Sequence, residues 1–136
     1  MPHPNSFNKN ERLCSRILIE KLFNEGTSFL IYPIKVVYYT DRIEKENGRS
    51  DAPLQVLISV SKKKFRRAAH RNKIKRLMRE SYRTHKSELT TLLIKKEYEL
   101  ALGLIYIGDS IPEFGYLKSK IISIMKRLNQ EFLQIN

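Results

Sequence analysis

The stretch Leu54-Gln55-Val56-Leu57-Ile58-Ser59-Val60-Ser61, followed by Lys62-Lys63-Lys64-Phe65-Arg66-Arg67-Ala68-Ala69-His70 and then Arg71-Asn72-Lys73-Ile74-Lys75-Arg76-Leu77-Met78-Arg79, decides the reading of this chain. The first eight residues are mostly apolar and rich in β-branched side chains, without strict alternation, which predicts a buried strand in a central position. At helical spacing the next block separates into two sides. His70, Ile74, Leu77, Met78 and Ser81 fall on one, and Asn72, Lys75, Arg76, Arg79, Arg83 and Lys86 on the other. Arg71 sits on the boundary. The spacing predicts an amphipathic helix with an apolar back and a cationic front, continuing past Tyr82 towards Leu93.

Charge confirms how unusual that block is. The chain has 136 residues, 26 Lys+Arg against 14 Asp+Glu, and a formal net charge of +12. Twelve of the basic residues and only one acid, Glu80, lie between Lys62 and Lys86, whereas the other 111 residues hold 14 basic and 13 acidic groups. A solvated helix face normally mixes signs. A near-neutral domain carrying one concentrated cationic element is the electrostatic footprint of a polyanion binder.

Outward from this block the chain reads as one α+β domain over residues 12–136, with residues 1–11 as a polar, mobile arm. A helix is predicted over Ser15–Glu25, with Ser15 as its cap, Gly26 as a left-handed terminator, and Leu18/Leu22 and Ile19/Phe23 forming an apolar stripe. Phe29 to Thr40 reads as a strand with Pro33 near its start, and a short extra strand has room within residues 29–53. Asp41 to Pro53, with Asn47-Gly48, reads as a loop. Tyr98–Ile107 is a third strand, and Pro112–Phe132 a last helix presenting Leu117, Ile121, Ile124, Met125 and Leu128 on one face.

Several function classes are excluded. No apolar run approaches the roughly 18–20 residues of a membrane span, and the polar N-terminus has no signal-peptide pattern, so a cytoplasmic protein is expected. Cys14 has no partner for a disulfide, and His3, His70 and His85 lack metal-ligand spacing. The five glycines are too dispersed for a phosphate-cradling loop. No protein-borne catalytic or metal centre is visible.

Ser59-Val60-Ser61-Lys62-Lys63, then Arg71-Asn72-Lys73-Ile74-Lys75-Arg76 and Arg79-Glu80, resembles the signature of the protein component of bacterial ribonuclease P. Glu11-Arg12-Leu13 before the first helix, and Leu22-Phe23 with Gly26 at its end, extend the resemblance to about Glu11–Ile107. It implies an α-β sandwich with a mixed sheet, ribosomal protein S5 domain 2-like, in which the strand–basic helix–strand crossover is left-handed, an exception to the usual hand. The strands around Ser59 and Leu102 become parallel neighbours. It implies a partner, the catalytic RNA, which removes the 5′ leader of precursor tRNA with Mg²⁺ held mainly by RNA and substrate. The protein then supplies no catalytic residue, and neither membrane nor DNA is an expected partner.

Carried over, Arg71, Asn72, Lys73, Lys75, Arg76 and Arg79 face the catalytic RNA, joined by Lys62, Lys63, Arg66, Arg67 and Arg83 of the same cationic window. The family's cleft for the single-stranded leader implies roles for Ile19, Phe23, Val37 and Tyr39. Two of these positions depart from the family's habit: Ile19 stands where a second aromatic is frequent, and Lys73 where arginine is commoner, which keeps the charge without the bidentate fork. The loop Lys64–His70 is also more basic than the glycine-containing turn of many members. A ribosomal protein or RNA-assembly factor is the alternative reading of the charge alone.

Overall fold

β2 (Ile34–Arg42) and β4 (Tyr98–Tyr106) form the centre of a four-stranded sheet, antiparallel from Ile34 opposite Tyr106 to Arg42 opposite Tyr98. β1 (Thr27–Ile31) makes a hairpin with β2, and β3 (Leu54–Val60) runs parallel to β4, giving the order β1-β2-β4-β3. This computed structural model describes residue 7 and residues 9–42 and 52–135. Its helices are α1 (Arg16–Glu25), α2 (Ala68–Arg83), α3 (Ser87–Lys96) and α4 (Phe114–Leu133). The fold is an α+β sandwich on a mixed sheet, and the parallel pair Val56–Leu102 and Ser59–Ile105 is bridged by the basic helix.

Strand alternation assigns the two faces. Ile34, Val36, Leu54, Leu100, Leu102 and Leu104 point to one side and pack with Ile74, Met78 and Tyr82 of α2, Leu89 and Leu93 of α3, and the apolar stripe of α4. The five α4 residues expected on one face, Leu117, Ile121, Ile124, Met125 and Leu128, are all buried there. On this side Tyr38 donates its hydroxyl to Glu131. Burial first and that bond second push its pKa up to about 12, so the phenol stays protonated and donating. On the opposite side, among the described residues, α1 and the segment before it cover the sheet, and the fully buried Leu22 packs with Val37, Ala101 and Leu13. Complete burial of such a side chain stabilises by roughly 1.5–3 kcal/mol.

Several elements differ from the sequence reading. The apolar run from Phe29 to Thr40 is two strands, because it turns at Tyr32-Pro33, where Pro33 O accepts from Ile107 N at 2.8 Å. The extra strand is therefore β1, and it starts at Thr27. β3 is an edge strand rather than a central one. It is apolar because its outer side is covered: Arg12 bridges Val56, and Leu13 N donates to Val56 O at 2.9 Å. Gly26 is extended, at φ −72° and ψ 159°, not left-handed. Glycine is required there by close approach, since a Cβ would lie 2.2 Å from Leu22 O and 2.9 Å from Tyr38 O.

The basic helix stops at Arg83. The Thr84 hydroxyl lies 3.2 Å from Glu80 O and Ser81 O, and His85 Nδ1 lies 2.8 Å from Ser81 O, so side chains occupy the last carbonyls. α3 restarts at Ser87 and ends at Glu97, which takes the left-handed conformation, φ 61°. Of the expected arm, Lys9–Glu11 is a 3-10 turn and Phe7 packs edge-on against Tyr82 at 5.7 Å. The rest of that arm, and most of the 41–53 loop with Asn47-Gly48, lie outside the described residues.

Candidate nucleic-acid interface

The interface grows from the end of β3. Ser61 O accepts from Phe65 N at 3.1 Å, closing a turn that throws Lys62 and Lys63 into solvent. Phe65 is buried against Tyr106, ring centroids 6.1 Å apart, and anchors the loop so that Arg66 and Arg67 on its far side stay exposed. α2 follows with Ile74, Met78, Ser81 and Tyr82 buried. Ser81, the polar member of that face, donates to Leu77 O at 3.0 Å. Its apolar back fixes the rotation of the helix, and the cationic front must then face outward.

The eleven expected RNA-binding residues separate into groups. Lys62, Lys63, Arg66, Arg67, Asn72, Lys73 and Arg76 are exposed. Lys75 and Arg79 are half-buried and lean into a cavity beside β3. Arg83 lies 3.0 Å from Glu80, one helical turn away. Arg71 turns back on the loop, donating from Nη1 to Phe65 O at 2.7 Å and to Arg66 O at 2.9 Å. Lys86, expected on the cationic front, is instead 3% exposed. It pairs with Glu11, and its Nζ lies 5.6 Å from the Phe7 ring centroid. The helical spacing that put it with the other cations does not hold once α2 has ended.

The cavity is a cleft of about 260 Å³. Phe7, Arg12, Leu13 and Cys14 form one wall, Val56, Leu57 and Ile58 the floor, and Lys75 and Arg79 the other wall. Apolar floor and cationic walls suit a strand that buries bases and leaves phosphates at the rim. Arg12 and Phe7 were not among the expected site residues. The signal for Arg12 was present, in the Glu11-Arg12-Leu13 segment. Arg12 lies 5.8 Å from the Phe7 ring centroid, which holds its guanidinium over the cleft wall. Behind that wall the Tyr82 phenol is held well above its usual range by burial and by Glu11, so it stays neutral.

Val37 belongs to the apolar cluster under α1, and Ile19 and Tyr39 pack against that cluster; none of the three lines the cleft, whose floor touches the cluster through Leu57. Val37 is buried, 6% exposed, whereas Phe23 stands outside the cluster, 51% exposed. Tyr39 also lines a smaller cavity of about 70 Å³ with Leu18, Lys21 and Gln55. Among the described residues no cluster of three or more His, Cys, Asp or Glu is placed to hold a metal ion. No described helix is long and apolar enough to cross a membrane.

The comparisons with known proteins agree with one another. The family model described as Ribonuclease P matches residues 7–101, from the Phe7 wall of the cleft into β4. The ribonuclease P protein component of Porphyromonas gingivalis is 38% identical over 116 residues, covering 84% of this chain and 81% of that protein. The component from Chlorobium phaeobacteroides is 37% identical over 133 residues, covering 93% and 90%. Among solved structures, the RNase P protein of Staphylococcus aureus shares the fold with a TM-score of 0.63 at 23% identity, over 86% of this chain and 94% of that one. A match that runs through the cleft wall, the crossover and the central strand, and that covers most of each relative, makes this chain a member of the ribonuclease P protein component family.

Proposed function

We propose that the chain is the protein subunit of a ribonuclease P holoenzyme, acting in the cytoplasm, whose α2 front and preceding loop bind the catalytic RNA. The observation that carries this reading is the geometry of α2: its back is buried in the core while Asn72, Lys73 and Arg76 stand exposed together on its front. Cations held on a rigid helix meet phosphates without a further loss of backbone freedom. The leader of precursor tRNA runs through the cleft between Arg12, Leu57 and Lys75, and the hydrolysis is Mg²⁺-dependent chemistry on the RNA. The protein neutralises phosphates around that site and lowers the Mg²⁺ needed.

The test is reconstitution on precursor tRNA at low Mg²⁺. The protein alone is expected to be inactive, and protein with catalytic RNA to remove the leader. Lys73→Ala combined with Arg76→Ala weakens RNA affinity by about tenfold or more, the scale of a lost charge-assisted contact. Cleavage by the protein alone, unchanged affinity in the double variant, or co-purification with ribosomal subunits rather than a separate RNA would each overturn the reading.

A further inference from the structure

A second cavity, about 390 Å³, opens where β3 and β4 end, away from the leader cleft. Three tyrosines surround it: Tyr32 at the β1–β2 turn, Tyr106 at the end of β4, and Tyr116 in the first turn of α4. Tyr32 is 53% and Tyr116 42% exposed, two rings displayed to solvent on the lining of one formed pocket. The frame is already fixed. Ile107 N donates to Pro33 O at 2.8 Å, and the Tyr106 hydroxyl donates to Ser110 O at 2.6 Å. Gly108 lies against that phenol, where a Cβ would come within 2.4 Å of the hydroxyl. Two carboxylates, Asp109 and Glu113, stand at the rim.

Aromatic faces, hydrogen-bond-accepting carboxylates and a volume in the range of small-molecule pockets suit a flat ring that carries N–H donors. The same rings and carboxylates would also hold an arginine side chain. The surroundings decide between them. Lys64 donates to Ile107 O at 2.6 Å and lies 3.2 Å from Asp109, so the pocket wall is tied to the loop that exposes Lys62, Lys63, Arg66 and Arg67. Lys120 Nζ adds a cation 5.2 Å from the Tyr116 ring centroid. The rim itself is balanced, Lys64 and Lys120 against Asp109 and Glu113, and the excess charge lies in the adjoining loop, which attracts a polyanion and repels a basic partner.

We propose that this cavity takes one unpaired nucleobase of an RNA whose backbone crosses the Lys62–Arg67 loop, stacked on Tyr32 or Tyr116 with its amino edge towards Glu113. That the base belongs to RNA rests on the reading above; the pocket itself does not involve α2.

The experiment follows the ring resonances of the tyrosines, isotope-labelled in the full chain, during titration with guanosine 5′-monophosphate, ribose 5-phosphate or N-acetylarginine amide. Guanosine monophosphate is expected to shift Tyr32 and Tyr116, and ribose 5-phosphate to leave them unchanged. A short single-stranded RNA then binds Tyr116→Ala about fivefold to a hundredfold more weakly, the range of base–aromatic stacking, while Tyr116→Phe retains affinity. Absence of nucleotide shifts, equal shifts with ribose 5-phosphate, or a response to the arginine amide alone overturns the proposal. Failure of the mononucleotide titration removes the pocket alone, and failure of Lys73→Ala with Arg76→Ala to weaken RNA binding removes the α2 reading alone.

Discussion

Arg71 Nη1 donates to two consecutive carbonyls, Phe65 O and Arg66 O, in the loop that leads into α2. Those bonds hold the buried Phe65 in place and so fix the loop on which Lys62, Lys63, Arg66 and Arg67 ride. Hydrogen bonds from a charged donor contribute about 1.5–3 kcal/mol, less where solvent reaches them, as it does here. Arg71→Ala is therefore expected to cost about 1–2 kcal/mol in urea denaturation, whereas Arg76→Ala, exposed on the same helix, changes stability by no more than about 0.5 kcal/mol. Equal stabilities for the two variants would show that Arg71 does not hold the loop. The run from Arg71 to Arg79 was legible as cationic, and the helical period put Arg71 on the boundary of the two sides. Nothing in the spacing tells that its donors turn back, because that depends on a loop whose carbonyls are placed by Phe65.

At the scale of elements, the period that exposed the amphipathic back of α2 also hid its end. On a continuing helix Leu89 would still fall between the buried Met78 and Tyr82, and Leu93, about five turns after Lys75, would alone be out of phase, so the break at Thr84 to Lys86 leaves little trace in the spacing. What marks it is a cluster of short polar side chains, Thr84 and His85, that satisfy the last carbonyls locally. Pro33 was visible as a strand perturbation, yet the hairpin depends on the pairing of β1 with β2, which no single strand announces. The break matters because it delivers Lys86 to Glu11 and fastens the N-terminal segment, including Phe7 and Arg12, along the cleft. Lys86 is 4% and Glu11 15% exposed at the side chain, so removing one partner leaves a charge with poor access to water. Lys86→Ala should cost about 3 kcal/mol, the lower end for a broken buried pair, and should speed tryptic cleavage after Lys9 and Arg12. Lys86→Met with Glu11→Leu, which removes both charges, should recover most of that stability. If Lys86→Ala unfolds no more readily than the parent and its N-terminal segment stays protected, the ion pair does not fasten the segment.

Across the whole molecule, the excess charge is concentrated between Lys62 and Lys86, but its members do not contribute alike. Lys62, Lys63, Arg66, Arg67, Lys73 and Arg76 are exposed cations, while Arg71 bonds the loop and Arg83 is shared with Glu80. Counting charges in the sequence located the surface. Counting could not divide it, since the division depends on which side chains find acceptors within the fold. Salt dependence makes the division measurable: each phosphate neutralised by a cation releases counterions and steepens the fall of log Kobs with log[salt] by about 0.7–0.9. Lys73→Ala and Arg76→Ala should each flatten that slope by about 1 against structured RNA. Arg83→Ala should flatten it by clearly less, because Glu80, 3.0 Å away, already occupies its guanidinium and keeps it from a phosphate. If all three variants changed the slope equally, the surface would act as a diffuse charge cloud, and the fixed orientation of α2 would have no part in how RNA is bound.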